Sequence, residues 1–582
     1  MAAPNIPAAK QAGLPVDLDR LAAEGDGWLT PEDRYALKTW GVCTQLQDHV
    51  FMIRIRIPGG VLPTSQARTI ARLGAQHGAD WVHLTTRQNL ELHWVADRAV
   101  RDLLADLERS GLSTRSACGH TLRNVMCSED AGVSLDEPFD CLPDAVAVSD
   151  AIVARSAELN CVLPSRINIA FGGSPRCRED ALVNDIAFVS VVVDGEAGYR
   201  VHAGGSLGKA PALAIDLADF IPRADAVPAA LALTEVFVAH GDLEKPTKGR
   251  MKFCIEAMGA DAFRAAWQEA FARARRATDR ADPVDVALLE PGDRAAAIRR
   301  RPEGGWSAGV RPQREPGLAS VTIALPLGDT NRSELELVAD LADRHGDGHL
   351  VLGRDQDVVL RNVPVDRVDA IRLALAPRGL TFVGEGADAA VRACTGSSVC
   401  ALGISPAPAD GRTLLATPGL RRNSALRVHV SGCPNSCAQH QAGDIGLAGT
   451  KVRLGGATRL GYHLYLGADL ASGRVGELVG RMAADDAPSV LDAVIGTWEA
   501  TRHGGESLST TVHRLGIDAF AAALESVLDD RWATGAEPEG TDVQPEVTAV
   551  APPPDGSPGS PGPAPEAVAG GPRTRAATSS AA

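Results

Sequence analysis

The sequence predicts an α+β chain made by duplicating one unit, with two ferredoxin-like repeats and two larger α/β domains related by a pseudo-twofold axis. Three observations predict this. Short segments recur in the same order on both sides of a central charged stretch. The intervals between them read as strand–helix–strand–helix modules. The 582 residues are enough for several domains, each with its own core.

The recurrence begins with Gly41-Val-Cys-Thr-Gln45, echoed by Gly309-Val-Arg-Pro-Gln313. An alternating strand follows each, Phe51 to Ile57 and Val321 to Leu325, and ends in Pro and Gly. Helical segments come next, Ser65 to His77 and Ser333 to His345. Second strands lie around Gln88-Asn-Leu90 and Gln356-Asp-Val358, and second helices near Val100–Ser110 and Val368–Ala376. Further on, Leu163–Ala170 is matched by Ala425–Val430, Gly198-Tyr199 by Gly461-Tyr462, and Met258–Phe263 by Leu515–Phe520. These echoes place the ferredoxin-like repeats at 26–110 and 306–380 and the α/β domains at 111–272 and 381–534. A charged linker at 273–305 joins the halves. Residues 1–25 are expected to be disordered, as is the Pro-, Gly-, Ala- and Ser-rich tail at 535–582, which has little apolar surface to bury.

Composition narrows the function. A hydrophobic content of 45% with 23% charged residues is that of a soluble globular protein, and a net charge of −15 argues against general nucleic-acid binding. No apolar run approaches the roughly 18 residues of a membrane span. The first ten residues lack a basic segment followed by an apolar core, so a cytoplasmic location is expected. No G-x-G-x-x-G follows a strand and opens a helix, so electrons or hydride from a bound nucleotide are not expected.

Eleven cysteines are spread unevenly. Cys394-Thr-Gly-Ser-Ser-Val-Cys400 and Ser431-Gly-Cys-Pro-Asn-Ser-Cys437 supply four thiolates, the number a cubane cluster needs. Structural zinc usually has two to four residues between paired cysteines, and the first pair here is more widely spaced, which leaves zinc as the weaker alternative. The corresponding segments of the first half carry no such set. Cys43, Cys118, Cys127, Cys141, Cys161, Cys177 and Cys254 are irregularly spaced and read as buried thiols.

The C-x5-C and C-x3-C pairs, with Gly-Cys-Pro-Asn-Ser-Cys in the second, resemble the siroheme-dependent nitrite and sulfite reductase family. The resemblance runs from about Leu29 to Trp532. It implies siroheme coupled to a [4Fe–4S] cluster, with Cys394, Cys400, Cys433 and Cys437 as cluster ligands and Cys437 bridging to the siroheme. It also implies that the two α/β domains hold these cofactors, and that ferredoxin or a similar small carrier supplies electrons.

Siroheme is a polycarboxylate and the substrate an oxyanion, so many cationic donors are required, arginine best of all. The strand period of two puts Phe51, Ile53, Ile55 and Ile57 on one face and Arg54 and Arg56 on the other. Over Trp81 to Trp94 it puts Val82, Leu84, Leu90, Leu92 and Trp94 on one face and Thr85, Arg87, Asn89, Glu91 and His93 opposite. A solvated sheet face would show the same alternation; the cysteines tip the balance toward a site. Thr85-Thr-Arg-Gln88 resembles the family's siroheme-contacting strand, which makes Arg56, Thr85, Arg87, Asn89 and His93 candidate cofactor ligands. Arg54, within Met-x-Arg-x-Arg-x-Pro-Gly-Gly, and Arg123, within Leu122-Arg-Asn-Val125, match substrate-facing arginines of the family. Leu163-Pro-Ser-Arg-Ile-Asn168 departs from the family's Leu-Pro-Arg-Lys pattern: Ser165 replaces arginine and Arg166 replaces lysine.

Asn168 stands where the resemblance implies lysine for sulfite reductases and asparagine for nitrite reductases. Sulfite carries more negative charge than nitrite and is better served by a second cation. The expected activity is therefore six-electron reduction of nitrite to ammonium, with Arg54, Arg123, Arg166 and Asn168 at the substrate. Competing readings are assimilatory sulfite reduction, a monooxygenase resembling precorrin-3B synthase, and a non-catalytic Fe–S carrier or sensor. Gly204–Gly208 is a candidate for a siroheme carboxylate or a plain loop. The arginines at 273, 275, 276 and 299–301 read as solvated linker ahead of a docking patch for an acidic ferredoxin.

Overall fold

The computed structural model describes residues 3–245, 248–277, 294–385, 391–454, 457–528 and 532–534. Four sheets carry the chain. Two belong to the ferredoxin-like repeats and two to the α/β domains, and each pair repeats one design.

The first repeat sheet orders its strands Val42–Thr44, Val50–Ile55, Leu90–Ala96, Val82–Leu84 and Asp329–Thr330. The second orders Val310–Pro312, Leu318–Ile323, Val358–Pro364, His349–Leu352 and Val61–Pro63. The edge strand of each comes from the opposite half of the chain. Asp329 and Thr330 pair antiparallel with His83 and Val82, and His349, Leu350 and Val351 pair with Pro63, Leu62 and Val61. The helices Thr64–His77 and Arg332–His345 pack on each other beneath this exchange. One hydrophobic core runs through both repeats, from Phe51, Ile53 and Ile55 to Val321, Ile323 and Phe382.

Two glutamines lock the exchange. Gln88 Nε2 donates to Cys127 O (2.9 Å) and Leu352 O (2.8 Å), and its Oε1 accepts from Cys127 N (2.9 Å). Gln356 Nε2 donates to Leu84 O (2.8 Å), and its Oε1 accepts from Ala393 N (3.0 Å). Each thus ties its own repeat to the other repeat and to an α/β domain. Gly60 (φ 76°) and Gly328 (φ 77°) make room for them. A Cβ on Gly60 would lie 2.6 Å from the Gln88 amide, and one on Gly328 2.7 Å from Leu84 O.

The α/β sheets repeat each other as well. Leu122–Met126, Ile167–Gly172 and Ile186–Val193 run parallel, then Glu196–Ala203 and Ile215–Pro222 return antiparallel. Val391–Ala393, Val428–Ser431 and Ile445–Leu454 run parallel, followed by antiparallel Ala457–Leu466, Glu477–Ala483 and Trp532–Thr534. The Gly-Tyr echoes become equivalent anchors, with Tyr199 donating to Asp144 and Tyr462 to Asp410.

Three expectations are corrected. Residues 6–24 are largely helical, not disordered: Asn5 and Asp17 cap Ile6–Gln11 and Leu18–Glu24, and Ala9, Leu14 and Leu21 are buried. The expected linker begins inside a helix, since Ala260–Ala277 includes Arg273, which pairs with Glu235 and Glu269, and Arg275, which pairs with Asp225. Part of the linker returns as the helix Arg294–Arg299, and its residues 278–293, like the tail 535–582, lie outside the described residues. Trp81 to Trp94 is not one strand. Thr85 N donates to Asn89 O and Gln88 N to Thr85 O, closing a turn with Gln88 at φ 54° between two strands. Leu90 follows Leu84 by six positions, an even step, so the inward face survives the turn. Trp94 is the exception: it has φ 62° beside a bulge, and Val95 takes the buried position.

Gln88→Ala removes three buried hydrogen bonds and is expected to cost about 2–4 kcal/mol, read as a lower denaturation midpoint. Gln356→Ala should act in the same direction.

Candidate active site

The cysteine loops hang from the parallel edge of the second α/β sheet. Cys394 follows the strand Val391–Ala393, and Cys433 follows Val428–Ser431. Gly432 N donates to Cys394 Sγ at 3.1 Å, which ties the two loops together. Burial raises the Cys394, Cys400 and Cys433 thiols, and Cys437 adds to the rise in each; Cys433 is pushed up to about 12. Four thiolates in one another's field need cations between them. Among the described residues, the group of three or more His, Cys, Asp or Glu ligand atoms lying within 4.8 Å of one another is Asp26, His49 and Asp97. Arg34 and His49 already balance Asp26 in that other group.

The first half shows what the duplicated position has become. Ser128 Oγ accepts from Gly173 N at 2.8 Å, as Cys394 does from Gly432. Ser174 precedes Pro175 as Cys433 precedes Pro434. Serine hydroxyls replace thiols at both places. Of the other thiols in this half, Cys118, Cys127, Cys141, Cys177 and Cys254 are buried, with Cys127 and Cys141 sulfurs 3.5 Å apart, while Cys43 and Cys161 are only partly covered.

Across from the cysteine loops lies a basic pocket. Thr86 Oγ1 donates to Cys437 O at 2.8 Å, holding the turn Thr85–Asn89 against the second cysteine pair. Arg87, in that turn, donates to Asn184 Oδ1 (2.7 Å) and Asn124 O (3.2 Å), while its Nε is buried without a hydrogen-bond partner. Arg54 donates through Nε to Glu91 Oε1 at 2.8 Å and through Nη1 to Ala117 O at 3.5 Å. Arg123 donates to the same Ala117 carbonyl (2.8 Å) and twice to Gly119 O. Arg166 and Asn168 share one face of the strand Ile167–Gly172 and its lead-in. Arg166 makes no hydrogen bond or ion pair among the described residues, and Asn168 Oδ1 is buried without a partner. Asn168 N donates to Asp185 Oδ2, the carboxylate that Arg250 grips at 3.1 and 2.8 Å.

The guanidinium groups press on one another. Arg250, burial and Arg123 together push Arg166 down to about 9. Burial, then Arg123, pushes Arg87 to about 9. Burial works against Arg54 too, but Cys118 and Glu91 outweigh it and leave it raised. Cys43 donates to Cys118, and with Arg54 and Arg123 beside it Cys118 falls to about 6. Cys437 belongs to both regions. Its charge is felt by Arg166 on one side and by Cys394, Cys400 and Cys433 on the other. Cationic groups with unpaired donors beside four clustered thiols fit a polycarboxylate macrocycle joined to an iron–sulfur cluster.

Arg54, Arg87, Arg123, Arg166, Asn168 and the four cysteines therefore converge. Other candidates are differently employed. Arg56 is 2% exposed and donates to Leu122 O (2.9 Å) and Ser149 Oγ (3.2 Å), tying the repeat to the α/β domain. Thr85 Oγ1 accepts from Arg87 N and Asn89 N, so it shapes the turn. Asn89 donates back to Arg87 O, and its Oδ1 is buried and unpartnered. His93 is buried, stacked on Trp81 and 3.2 Å from Glu91. The Gly204–Gly208 loop packs over the second cysteine pair, Gly208 being held through both its N–H and its C=O by Gln441. Thr86 and Arg250 escaped the sequence reading. Thr86 is masked by the unrecognised turn, and Arg250 stands in no motif.

Comparison with known proteins agrees with this geometry. The family model "Nitrite and sulphite reductase 4Fe-4S domain" matches residues 118–274 and 423–531. The "Nitrite/Sulfite reductase ferredoxin-like half domain" matches 44–110 and 311–378. A ferredoxin–nitrite reductase of Synechococcus elongatus is 30% identical over 80% of this chain and 90% of its own. A sulfite reductase [ferredoxin] 1 of Mycolicibacterium paratuberculosis is 28% identical over 80% and 82%. The solved Mycobacterium tuberculosis NirA protein superposes with a TM-score of 0.76, at 24% identity, over 89% of this chain and 98% of its own. The chain belongs to the nitrite and sulfite reductase family. It is an oxidoreductase that carries siroheme and a [4Fe–4S] cluster. No helix among the described residues is long and apolar enough to cross a membrane.

Cys118 is expected to titrate below an ordinary thiol, and Cys43→Ala to move that titration upward by removing the thiol that donates to it. The pH dependence of Cys118 alkylation, followed by peptide mass spectrometry, measures both.

Proposed function

We propose that this chain reduces nitrite to ammonium in the cytoplasm, drawing single electrons from a ferredoxin-type donor. The observation that carries the choice of anion is the pair Arg166 and Asn168: a guanidinium that makes no hydrogen bond or ion pair among the described residues, beside a neutral amide whose oxygen is buried without a partner. With Arg54 and Arg123 also facing the anion, a neutral amide at position 168 suits singly charged nitrite, whereas sulfite would be better served by a further cation there.

The reaction, NO2− + 6 e− + 8 H+ → NH4+ + 2 H2O, makes two demands on the protein. The first is anion binding. Arg54 and Arg123, braced on the shared Ala117 carbonyl, and Arg166, held by none, supply it. The second is proton supply to oxygens that leave as water. Arg250, burial and Arg123 lower Arg166, yet a guanidinium yields its proton less readily than the lysine it replaces would, so Arg166 would relay protons only through water. Arg87, with its unpartnered Nε, would bind a siroheme carboxylate, as would Asn89 through an intervening donor. Cys394, Cys400, Cys433 and Cys437 would hold the cubane, Cys437 being the one shared with the siroheme. When bound, siroheme supplies the iron at which the anion is reduced and the cubane supplies one-electron storage.

Anaerobic turnover with reduced methyl viologen, nitrite and sulfite side by side, tests the reading. Ammonium formed in excess over sulfide supports it; preferred sulfide formation would leave the scaffold intact and reverse the anion. Asn168→Lys should shift the ratio of sulfite to nitrite kcat/KM upward by about tenfold. Cys433→Ser should lower iron and acid-labile sulfide content in purified protein, measured independently of turnover.

A further inference from the structure

The two arginines that share Ala117 O are anchored differently. Arg123 is fixed by backbone carbonyls of its own half. Arg54 is fixed by Glu91, directly opposite in register on the neighbouring strand. Glu91 in turn stands opposite His83, and His83 opposite Asp329, so one row of side chains crosses four strands on a single face.

Contacts run along this row without a break. Glu91 Oε1 accepts from Arg54, and Glu91 Oε2 lies 3.2 Å from His93 Nε2. His93 stacks on Trp81, ring centres 4.3 Å apart. Trp81 Nε1 donates to Asp329 Oδ1 at 2.8 Å, and His83 Nδ1 lies 2.8 Å from the same oxygen. Arg412 of the second α/β domain donates to Asp329 Oδ2 at 3.1 Å. Glu91, His83 and Asp329 side chains are only 6%, 5% and 4% exposed. Burial opposes the charge on Glu91, but Arg54 and His93 outweigh it and hold the carboxyl well below the usual carboxylate range. Burial likewise opposes charge on His83, and Asp329 outweighs it in the other direction. Asp329 belongs to the exchanged strand, so the row begins in the first half of the chain and ends in the second.

We propose that Glu91, His93, Trp81 and Asp329 are positioning residues for Arg54, and that the second half of the chain thereby sets anion affinity in a pocket walled by the first. The proposal rests on the assignment of Arg54 to the substrate. A side chain as long as arginine has many rotamers, and pinning it beforehand removes an ordering cost from anion binding.

The test is nitrite binding to oxidised holoprotein, followed by the change in its visible absorption, which needs no turnover. Glu91→Ala should raise the dissociation constant about tenfold and Glu91→Gln by less, since the amide oxygen still accepts from Arg54. In an Arg54→Ala background, Glu91→Gln should change it by no more than about twofold, because its partner has gone. Asp329→Asn, and Trp81→Phe as a shape-preserving alternative, should each weaken binding about threefold, with the siroheme absorption and melting midpoint checked alongside. Wild-type affinity in Glu91→Ala, or an equal effect of Glu91→Gln with and without Arg54, would overturn the positioning role. Wild-type affinity in both Asp329→Asn and Trp81→Phe would overturn the contribution of the second half. If nitrite binds but is not reduced, the activity fails while these comparisons remain valid. If Arg54→Ala alone leaves affinity unchanged, the substrate assignment itself fails.

Discussion

Positive charge in excess of its carboxylate partners is the constraint around which this molecule is arranged. Arg54, Arg87, Arg123, Arg166 and Arg250 act on one another in a partly buried pocket, with Glu91 and Asp185 as the carboxylates that grip them. Gathering guanidinium groups away from water is costly unless anions complete the set. The family's macrocycle is a polyanion and its substrate is an anion, so both supply the negative charge that completes the set. The protein tolerates this arrangement because both sides of the pocket are rigidly held, on one side by the parallel strands of the α/β domain and on the other by the repeat sheet.

Holding those sides is the work of the duplicated architecture. Gln88 and Gln356 occupy equivalent turns, both with positive φ, and each satisfies buried backbone groups of another unit. Sequence duplication has been followed by a division of labour. Cys394 and Cys433 keep thiols where Ser128 and Ser174 offer hydroxyls, while the strand that carries Arg54 and Arg56 in the first repeat carries Thr322 and Ala324 in the second. One half supplies most of the guanidinium groups, the other all four cluster thiols.

Much of this was legible in the sequence, for identifiable reasons. The strand period separated Arg54 and Arg56 from the isoleucines between them, and the cysteine spacing marked the cluster loops. What stayed hidden depended on tertiary contact. Arg56 lies on the predicted face yet spends its donors on Leu122 and Ser149, because the α/β domain packs directly over it. His93 shares a face with Glu91 but is captured by Trp81. The turn at Thr85–Asn89 has no glycine or proline to announce it; Gln88 takes the left-handed conformation because its side chain is bound at both ends. The short helices before Glu24 bury only a few apolar side chains each, too few to produce a visible period.

The exchanged edge strands have a consequence for how the protein is made. As the chain leaves the ribosome, Val82–Leu84 emerges well before Asp329–Thr330, the strand that will cover its open side. During synthesis of roughly 240 further residues the first sheet presents bare backbone donors and acceptors, the kind of edge to which other chains adhere. Completion of the first repeat is thus a late event, timed by the second. It also binds the two copies of the ancestral unit into one inheritance. Once each lends a strand to the other, a genome that separated them would have to rebuild both edges at a bimolecular encounter.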